Sequence, residues 1–562
     1  MAVFKSKYTV DAPATNLLTY LFDSPYKDEG AWPAAEPLIC PSSSSPNSDR
    51  TGNPGYTVNE IKSLVKCLGN GLSNLGARNK NVIIYGDANI HFQLAVLGVI
   101  GAGATLNIRP QGSVEDLVSR LRVLGCDLVF CGPQAIETVS AAAEEVGIPK
   151  ERLFVVDEFL RAADGGGGNI SKTGVSHWSS LLEFPGGDEY QWPSLSPGES
   201  KTTTAVLIDT SGTTGISKLV ERTHYGLIGN IEQVLQTYTL RERSHETILC
   251  NYRFCGMGFL LLGILIPLKA RYRAIFPTQI DGHTLTETVE RWNTSWVMLP
   301  KHLMREVLSL KPKPNLSCVK HVFTGGAMIP FELINEWQGA FGSQVQSVYG
   351  MSEAGFFTLP HPNDIVQDED TGFLLPNVEA KILDNSGNLL PTNKRGLIHI
   401  RSPFVMTGYR GDPAKTAETV SSDGWIETGD VGWLDERERV HVVGREKDHF
   451  KVEGYTVTAS EIETAILKHP GVRDVAVIPV TLPNDTEPVP RGYIVNDWDL
   501  KSGVPLTIDD FMAWMEKEVH PHLRLTGGVA FIQSIPISSG GNSKVDRQKL
   551  LQIAEEEMRL SC

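Results

Sequence analysis

The sequence contains few cysteines and no long apolar run. Eight cysteines occur among 562 residues, none forms a Cys-x-x-Cys pair, and no histidine lies at zinc-finger spacing from them. This pattern argues against zinc binding and favours reduced, mostly buried thiols. The apolar segment 259–268 is far too short to span a bilayer.

Recognisable targeting signals are also missing. Residues 1–13 carry lysines and Asp11 but no apolar core of signal-peptide length. The last three residues, Leu560, Ser561 and Cys562, match neither the Ser-Lys-Leu peroxisomal signal nor a prenylation box, which needs its cysteine four positions from the end. We therefore expect a cytoplasmic protein without a membrane span.

Positive charge is scarce relative to negative charge. Lysine and arginine total 51 against 66 aspartates and glutamates, which gives a net charge of −15. This balance argues against broad binding to nucleic acid or to membrane surfaces. An anionic substrate must therefore be met by local basic groups. An apolar content of 41%, with 53 glycines and 33 prolines, is typical of a globular, loop-rich chain of two or three compact units.

Short apolar strands alternate with helical patterns over much of the chain, first in 57–156 and again in 246–349. This alternation predicts α/β units on a mostly parallel sheet. Residues 165–200 begin with four consecutive glycines and continue with many polar residues, so they are expected to form a surface loop. The predicted helices are 57–75, 90–102 and 134–145, and the predicted strands are 81–85, 127–131, 153–156, 247–250, 272–276, 295–299 and 321–323.

The residue pattern of the sequence changes after residue 372. From 372 to 443, short β segments such as 378–383 and 397–400 are separated by Gly, Asn and Asp turns, which predicts a small β subdomain. Beyond 444 the chain is of roughly domain size. In that part we expect helices near 460–468 and 508–518, a strand at 474–479 and a charged last helix, with a domain boundary near 443–448.

A segment rich in glycine and hydroxyl residues directly follows the apolar run 205–208. Backbone N–H groups, hydroxyls and the Lys218 ammonium can together surround phosphate oxygens, although the composition alone is equally compatible with a plain turn. Because Ile216 and Ser217 separate the last glycine from Lys218, the segment is not a Walker loop. Its candidate phosphate ligands are Thr210, Ser211, Gly212, Thr213, Thr214, Gly215 and Lys218.

Two further clusters combine an aromatic ring, carboxylates and a cation. Tyr349, Gly350, Met351, Ser352 and Glu353 follow an apolar strand, and open α/β sheets bind ligands at strand ends. A tyrosine that fills the core is the alternative. Asp430 follows a Thr-Gly pair and Arg445 follows Gly444. Either residue alone fits an ordinary turn, whereas the two together are more informative.

The C-terminal part contributes two charged features. Lys447 and Asp448 lie where the β subdomain ends, and Lys544 lies in the glycine- and serine-rich segment 538–547. By themselves these residues fit a solvated turn and a surface charge.

Taken in order, these motifs resemble those of the adenylate-forming superfamily, and the chain looks similar to the 4-coumarate–CoA ligase branch over about 57–550. The resemblance implies an α/β protein with a large N-terminal domain (1–445) and a smaller mobile α+β domain (446–562). The large domain would contain two α/β sheet subdomains and a small β subdomain, and Lys447 and Asp448 would form the hinge. Ser217, Ala459 and Ser543 stand where the superfamily usually has Pro, Pro and Gly.

The resemblance also implies the roles of individual residues. Lys544, Glu353, Ser352 and Lys218 would be catalytic, and Glu353 would hold Mg²⁺. The expected nucleotide ligands are Thr210, Ser211, Gly212, Thr213, Thr214, Gly215, Lys218, Gly326, Ala327, Tyr349, Gly350, Met351, Ser352, Asp430, Arg445 and Lys544. The expected acyl pocket comprises Tyr252, Arg253, Gly256, Met257, Gly325 and Gly326, and the expected CoA contacts are Lys451, Gly454 and Tyr455.

The implied reaction is ATP-dependent thioester formation between a carboxylic acid and CoA. Because carboxylate and triphosphate repel one another, the reaction requires convergent cations. The substrate is expected to be an aryl, cinnamate-like or medium-chain acid, and the protein a monomer or homodimer. Two alternatives remain: transfer of the acyl group to an amine or to a carrier-protein thiol, and a catalytically idle nucleotide-binding homologue.

Overall fold

The computed structural model describes residues 3–23, 25, 38–42, 55–86, 89–157, 174–210, 218–238, 246–250, 256–277, 281–326, 328–362, 364, 370–452, 455–482, 488–496, 506–536 and 545–561. In chain order the strands are β1 (Phe4–Lys5), β2 (Ile39–Ser42), β3 (Asn81–Tyr85), β4 (Thr105–Arg109), β5 (Leu128–Cys131), β6 (Leu153–Val155), β7 (Ser176–His177), β8 (Thr204–Thr210), β9 (Lys218–Thr223), β10 (Thr247–Leu249), β11 (Arg273–Pro277), β12 (Trp296–Met298), β13 (His321–Gly325), β14 (Gln344–Met351), β15 (Gly355–Leu359), β16 (Phe373–Leu374), β17 (Glu379–Leu383), β18 (Gly396–Arg401), β19 (Gly408–Tyr409), β20 (Ile426–Leu434), β21 (Val440–Arg445), β22 (His449–Val452), β23 (Tyr455–Thr458), β24 (Val472–Val480), β25 (Val489–Asn496) and β26 (Val529–Phe531).

The helices alternate with these strands, as the sequence predicts for the α/β parts. They are α1 (Leu17–Phe22), α2 (Val58–Asn74), α3 (Ile90–Gly101), α4 (Val114–Leu124), α5 (Ile136–Val146), α6 (Pro197–Thr202), α7 (His224–Thr237), α8 (Gly256–Gly258), α9 (Ile266–Ala270), α10 (Gly282–Trp292), α11 (Lys301–Ser309), α12 (Phe331–Phe341), α13 (Pro413–Thr419), α14 (Ala459–Ile466), α15 (Ile508–Glu518) and α16 (Arg547–Ser561). A π-helical segment, Phe259–Leu265, joins α8 to α9. Within the described ranges, every helix falls short of the length and apolar content needed to cross a membrane.

Two sheets form the framework of the N-terminal part, and the described residues give each of them eight strands. The first has the order β19-β9-β8-β4-β3-β5-β6-β7, and the second has the order β16-β15-β14-β13-β12-β10-β11-β2. Both sheets are parallel except at one end. The antiparallel strands there are β9 and β19 in the first sheet and β15 and β16 in the second. One buried apolar cluster includes Leu106 of β4 and Phe323 of β13, so the two sheets share a core.

A five-stranded antiparallel sheet, in the order β1-β17-β18-β20-β21, confirms the predicted β subdomain. Its edge strand β1 comes from the N-terminus, where Phe4 pairs with Ala380. This strand was not predicted from the sequence, because two residues carry no periodicity. The C-terminal part contains the sheet β24-β25-β26, the hairpin β22-β23 and apolar clusters of its own.

Residues 174–200 correct the prediction of a surface loop. This part contains β7, a 3₁₀ segment at Trp178–Glu183 and α6, and the side chains of Trp178 and Leu181 are fully buried. At Gly71 of α2, a Cβ atom would lie only 2.1 Å from the carbonyl oxygen of Leu181. The segment therefore packs tightly on α2, and glycine permits that approach. Residues 158–173 lie outside the described residues.

Capping hydrogen bonds account for the starts of two helices whose bounds were predicted from the sequence. At α2, Thr57 accepts a hydrogen bond from the Glu60 N–H group, and the Glu60 carboxylate accepts one from the Thr57 N–H group. Thr507 caps α15 in a similar way by accepting from Asp510 N–H. Of the five described thiols, those of Cys126, Cys131 and Cys250 are buried and those of Cys67 and Cys318 are half-buried. Burial raises the pKa of Cys126 to about 12, as expected for a reduced, inert side chain.

Candidate functional site

Tyr349, Asp430 and Arg445 meet at the boundary between the second eight-stranded sheet and the five-stranded sheet. The Tyr349 hydroxyl donates to Asp430 Oδ2 at 2.6 Å, and Arg445 Nε lies 3.0 Å from Asp430 Oδ1. Burial, together with the neighbouring Asp430 carboxylate, raises the pKa of Tyr349, so its proton stays in place. A carboxylate offers about four lone-pair sites, so Asp430 can accept several hydrogen bonds at once.

The backbone around Gly429 orients the Asp430 carboxylate. Gly429 has a φ of +69°, a left-handed conformation that favours glycine. The Thr428 hydroxyl accepts from Asp430 N–H at 3.1 Å and donates to Ile398 O at 2.8 Å. Since Asp430 pairs with Arg445 across β20 and β21, the register of this hairpin sets the ion pair.

Glu353, Tyr409 and Lys218 form a second group near the first. The Tyr409 hydroxyl donates to Glu353 Oε1 at 2.7 Å, and Lys218 Nζ lies 5.2 Å from the centroid of the Tyr409 ring. Burial, together with the Glu353 charge, raises the pKa of Tyr409 and keeps its hydroxyl a donor. The Met406 N–H group donates to the Glu353 carbonyl at 2.7 Å and fixes the backbone of this residue.

Both ends of the glycine- and hydroxyl-rich segment are held by strand pairing. Thr210, the last residue of β8, pairs with Lys218, the first residue of β9. Directly before Thr210, the Asp209 carboxylate is bound by Arg109 at 2.8 Å and by Arg120 at 2.5 Å. These ion pairs connect the base of the segment to β4 and α4. The connecting residues 211–217, which include Ser211, Gly212, Thr213, Thr214 and Gly215, lie outside the described residues.

Two of the expected acyl-pocket glycines, Gly325 and Gly326, lie at the carboxyl end of β13. A Cβ atom on Gly325 would lie 2.7 Å from Val348 O, and Gly326 has a φ of +80°. Gly325 pairs with Val348 of β14, one residue before Tyr349. Gly256 begins α8 with a φ of +76°, and the adjoining Met257 side chain is buried.

Several predicted positions fall outside the part of the chain that the structure describes. They are Tyr252, Arg253, Ala327, Gly454 and Lys544, together with the side chains of Lys447, Lys451 and Tyr455. The described hinge candidate Asp448 closes the 3₁₀ turn Glu446–Asp448, and its Oδ2 lies 3.7 Å from Arg547 Nη1.

Two residues of this region, Tyr409 and Arg222, were not predicted from the sequence. Tyr409 lies on a two-residue strand, which carries no recognisable pattern. Arg222 is fully buried on β9, and its guanidinium donates to the carbonyl oxygens of Ser352 and Phe404. Strand β9 reads Lys-Leu-Val-Glu-Arg-Thr, so its other polar residues leave no local signal that distinguishes Arg222.

A divalent cation has a candidate ligand in Glu353. Its Oε1 accepts the Tyr409 hydroxyl, and carboxylate oxygens supplemented by phosphate oxygens are typical ligands of Mg²⁺. Among the described residues, His, Cys, Asp and Glu side chains form no group of three or more that could hold a metal ion.

Comparison with known families gives two matches. Residues 47–410 match the model of the AMP-binding enzyme family, and residues 461–542 match that of the AMP-binding enzyme C-terminal domain. Among curated proteins, a phenylacetyl-CoA ligase of Aspergillus niger is 26% identical, with 96% of this chain and 97% of the relative covered. A 4-coumarate–CoA ligase-like protein of Oryza sativa is 31% identical over 63% of this chain and 64% of its own length.

Solved structures share the fold over nearly the whole chain. ATP-bound MatB from Rhodopseudomonas palustris has a TM-score of 0.80 at 20% identity, with 97% of this chain and 99% of that chain covered. The amide bond synthetase McbA from Marinactinospora thermotolerans has a TM-score of 0.76 at 21% identity, with 96% and 99% covered. The predicted α/β architecture of a large N-terminal and a smaller C-terminal domain is thereby confirmed.

Proposed function

The chain belongs to the AMP-binding enzyme family, and on that premise we propose that it is an ATP-dependent, AMP-forming acid–CoA ligase. The relatives named as acyl-CoA and 4-coumarate–CoA ligases support this activity at the level of the family. In the first half-reaction, an acid oxygen attacks the α-phosphorus of ATP and diphosphate leaves. In the second, the CoA sulfur attacks the acyl carbonyl carbon, the bond to the AMP oxygen breaks and the thiol proton passes to solvent.

The observation that carries the proposal is the contact of Tyr349 and Arg445 with the two oxygens of Asp430. In the proposed site Asp430 accepts hydrogen bonds from the ribose hydroxyls, and the Tyr349 ring stacks on adenine. Arg445 adds positive charge beside the ribose and the α-phosphate. Gly326, Ala327, Gly350 and Met351 complete the nucleotide contacts.

The triphosphate lies toward Lys218 and the segment 210–215 in this proposal. Lys218 and Lys544 stabilise the negative charge that accumulates as the acid approaches the α-phosphorus. Ser352 helps to hold the phosphate and the substrate carboxylate. Glu353 would hold Mg²⁺, which supplies further neutralisation of phosphate charge when bound.

The acid occupies the region of Gly256, Met257, Gly325 and Gly326, with Tyr252 and Arg253 beside it. Buried Met257 and the close approach of Gly325 to Val348 favour an aryl, cinnamate-like or medium-chain acid over a highly charged one. CoA approaches along Lys451, Gly454 and Tyr455.

The domain limits 1–445 and 446–562, with rotation at Lys447 and Asp448, are part of the same proposal. They are supported by the end of the five-stranded sheet at Arg445 and by the separate apolar clusters of the C-terminal part. A cytoplasmic location and a monomeric or homodimeric state also remain proposals; a fluorescent fusion and light scattering test them.

A panel of carboxylic acids tests the proposed activity. Pyrophosphate release is measured with and without CoA, and the products are identified by mass spectrometry. We expect AMP and an acyl-CoA thioester from at least one aryl or medium-chain acid. A product that is the same with and without CoA would favour transfer to an amine or carrier thiol, and ATP binding without pyrophosphate release across the panel would favour the idle homologue.

A further inference from the structure

Arg222 is a fully buried cation directly behind the turn that carries Ser352 and Glu353. It lies on β9, four residues after Lys218, and its side chain is surrounded by protein. Its guanidinium donates to Ser352 O at 3.3 Å, to Phe404 O at 2.8 Å and to Asn230 Oδ1 at 2.5 Å. It thus connects the turn after β14, the segment before β19 and helix α7.

All three of these acceptors are neutral. Buried Arg439, by comparison, binds the carboxylates of Asp370 at 2.7 Å and Asp364 at 3.0 Å. No carboxylate lies within ion-pair distance of Arg222 in the described part of the chain. Burial lowers the pKa of Arg222 to about 10, and the opposing electrostatic influence comes from Glu353. A buried cation without an ion-pair partner is costly, so an anion that binds nearby gains from it.

The Glu353 turn is held from both sides, by Arg222 and Asn230 on one side and by Met406 on the other. Asn230 accepts from Arg222 and donates through Nδ2 to Ala354 O at 3.3 Å. A Cβ atom on Gly355, whose φ is +77°, would lie 2.3 Å from Asn230 Oδ1. The far side of the turn is fixed by the Met406 N–H bond to Glu353 O. The position of the Glu353 backbone therefore depends on Arg222 and Asn230.

We propose that Arg222 is a positioning residue of the adenylation site, whose buried charge fixes the Ser352–Glu353 turn and stabilises the negative charge of bound ATP. This inference rests on the proposed function. Arg222 touches neither the nucleotide nor the reacting atoms, because the backbone of Ser352 and Glu353 lies between them. It acts through the fixed turn and through its electrostatic field, which water does not screen in a buried position.

Two substitutions separate the effect of the Arg222 charge from the effect of its hydrogen bonds. R222K keeps the charge and loses the planar fork, whereas R222M loses both. We expect titration calorimetry with ATP and MgCl₂ to give an ATP Kd about tenfold higher for R222M, a factor that corresponds to about 1.4 kcal/mol, and a Kd within about threefold of wild type for R222K. Equal weakening of ATP binding in both variants would exclude a role for the charge.

N230D provides a second test with little change in shape. The new carboxylate would pair with Arg222 and offset its charge, and it would also remove the Nδ2 donor to Ala354 O, so we expect N230D to weaken ATP binding more than R222K does. An N230D protein that binds ATP as tightly as wild type would overturn the proposal. The matched control is R439M, which removes another buried arginine and should lower the melting temperature while leaving the ATP Kd unchanged.

Failure of the proposed function and failure of the proposed role of Arg222 give different experimental results. If wild-type protein neither binds ATP nor releases pyrophosphate with any acid, the proposed function itself is wrong. If wild-type protein binds ATP and the R222M Kd is the same, only the role of Arg222 is wrong.

Discussion

The Tyr349 hydroxyl donates a hydrogen bond of 2.6 Å to Asp430, although 81 positions separate these residues in the chain. Tyr349 belongs to an eight-stranded sheet and Asp430 to the five-stranded sheet. The bond therefore depends on how the two sheets dock, and Arg445 fixes the second carboxylate oxygen. The three side chains of the proposed ribose site are thus in contact in the structure.

Replacement of Asp430 by Asn should strongly impair use of ATP. D430N removes the charge opposite Arg445 and replaces one acceptor oxygen by a donor, so the Tyr349 and ribose hydroxyls compete for the oxygen that remains. We expect kcat/KM for ATP in pyrophosphate release to fall about 100-fold or more, given about 3 kcal/mol for a charged hydrogen-bonding partner. Y349F, which keeps the ring and the carboxylate, should cost only about three- to tenfold. Equal losses in the two variants would contradict the assignment of the ribose contacts to Asp430.

Removal of the Tyr409 hydroxyl should raise the requirement for Mg²⁺. Y409F leaves Glu353 Oε1 without its donor and loosens the carboxylate, so more metal is needed for half-maximal pyrophosphate release. The expected increase is about three- to tenfold, as for loss of one hydrogen bond to a charged group. Y190F is a matched control because Tyr190 bonds to Ser73 and to the Gly101 carbonyl in the first α/β region. An unchanged Mg²⁺ dependence in Y409F would separate Tyr409 from the metal site.

Lys544 should act in the first half-reaction and not in the second. K544A removes a cation that would offset the repulsion between carboxylate and α-phosphate, and we expect pyrophosphate release to fall about 100- to 1000-fold. Thioester formation from supplied acyl-adenylate and CoA should stay near the wild-type rate. Lys549 is exposed on α16, and K549A serves as the control. Equal loss of both half-reactions would argue against a role confined to adenylation.

Restriction of the backbone at Asp448 should impair the second half-reaction and largely spare the first. D448P fixes φ in the 3₁₀ turn Glu446–Asp448, so it hinders the proposed rotation of the C-terminal domain. Pyrophosphate release should be largely kept, while thioester formation from acyl-adenylate should fall at least about tenfold. D448A removes the side chain without restricting the backbone and should affect neither step strongly. A D448P protein with a normal thioester rate would contradict a hinge at this residue.

Two buried histidines should make the fold sensitive to acid. Burial lowers the pKa of His91 and of His224 to about 4, and His224 Nδ1 accepts from Leu17 N–H at 3.1 Å. Since the unfolded-state pKa is about 6.5, the unfolded chain binds these protons more tightly, and stability falls as pH drops from about 6.5 towards 4. Each group accounts for up to about 3 kcal/mol of that loss.

Urea unfolding at several pH values measures this effect. H224N keeps an acceptor for Leu17 N–H but does not titrate, so the decrease in unfolding free energy between pH 6.5 and pH 4.5 should be smaller than in wild type. H520N, at an exposed position, serves as the control substitution. An identical pH dependence in wild type and H224N would show that His224 is not among the titrating groups.

The elements with strong local signals were predictable from the sequence. The strand Asn81–Tyr85 and the helix Ile508–Glu518 have the predicted bounds, and α2 lies within one residue of its prediction. Apolar periodicity and capping side chains act over a few residues, so they can be read from short windows. Family membership was equally accessible, because it depends on the order of motifs along the chain.

The spatial relationships were decided by the tertiary structure. The pairing of Phe4 with Ala380, the docking of Tyr349 on Asp430 and the burial of Arg222 behind Glu353 join segments that are distant in the chain. No local pattern specifies which distant strand becomes a neighbour, because that choice minimises the free energy of the whole packed core. The sequence by itself therefore determined the elements with strong local signals and the chemical groups available for a nucleotide. Only the folded chain decided which of those groups share one site and which charge lies buried behind it.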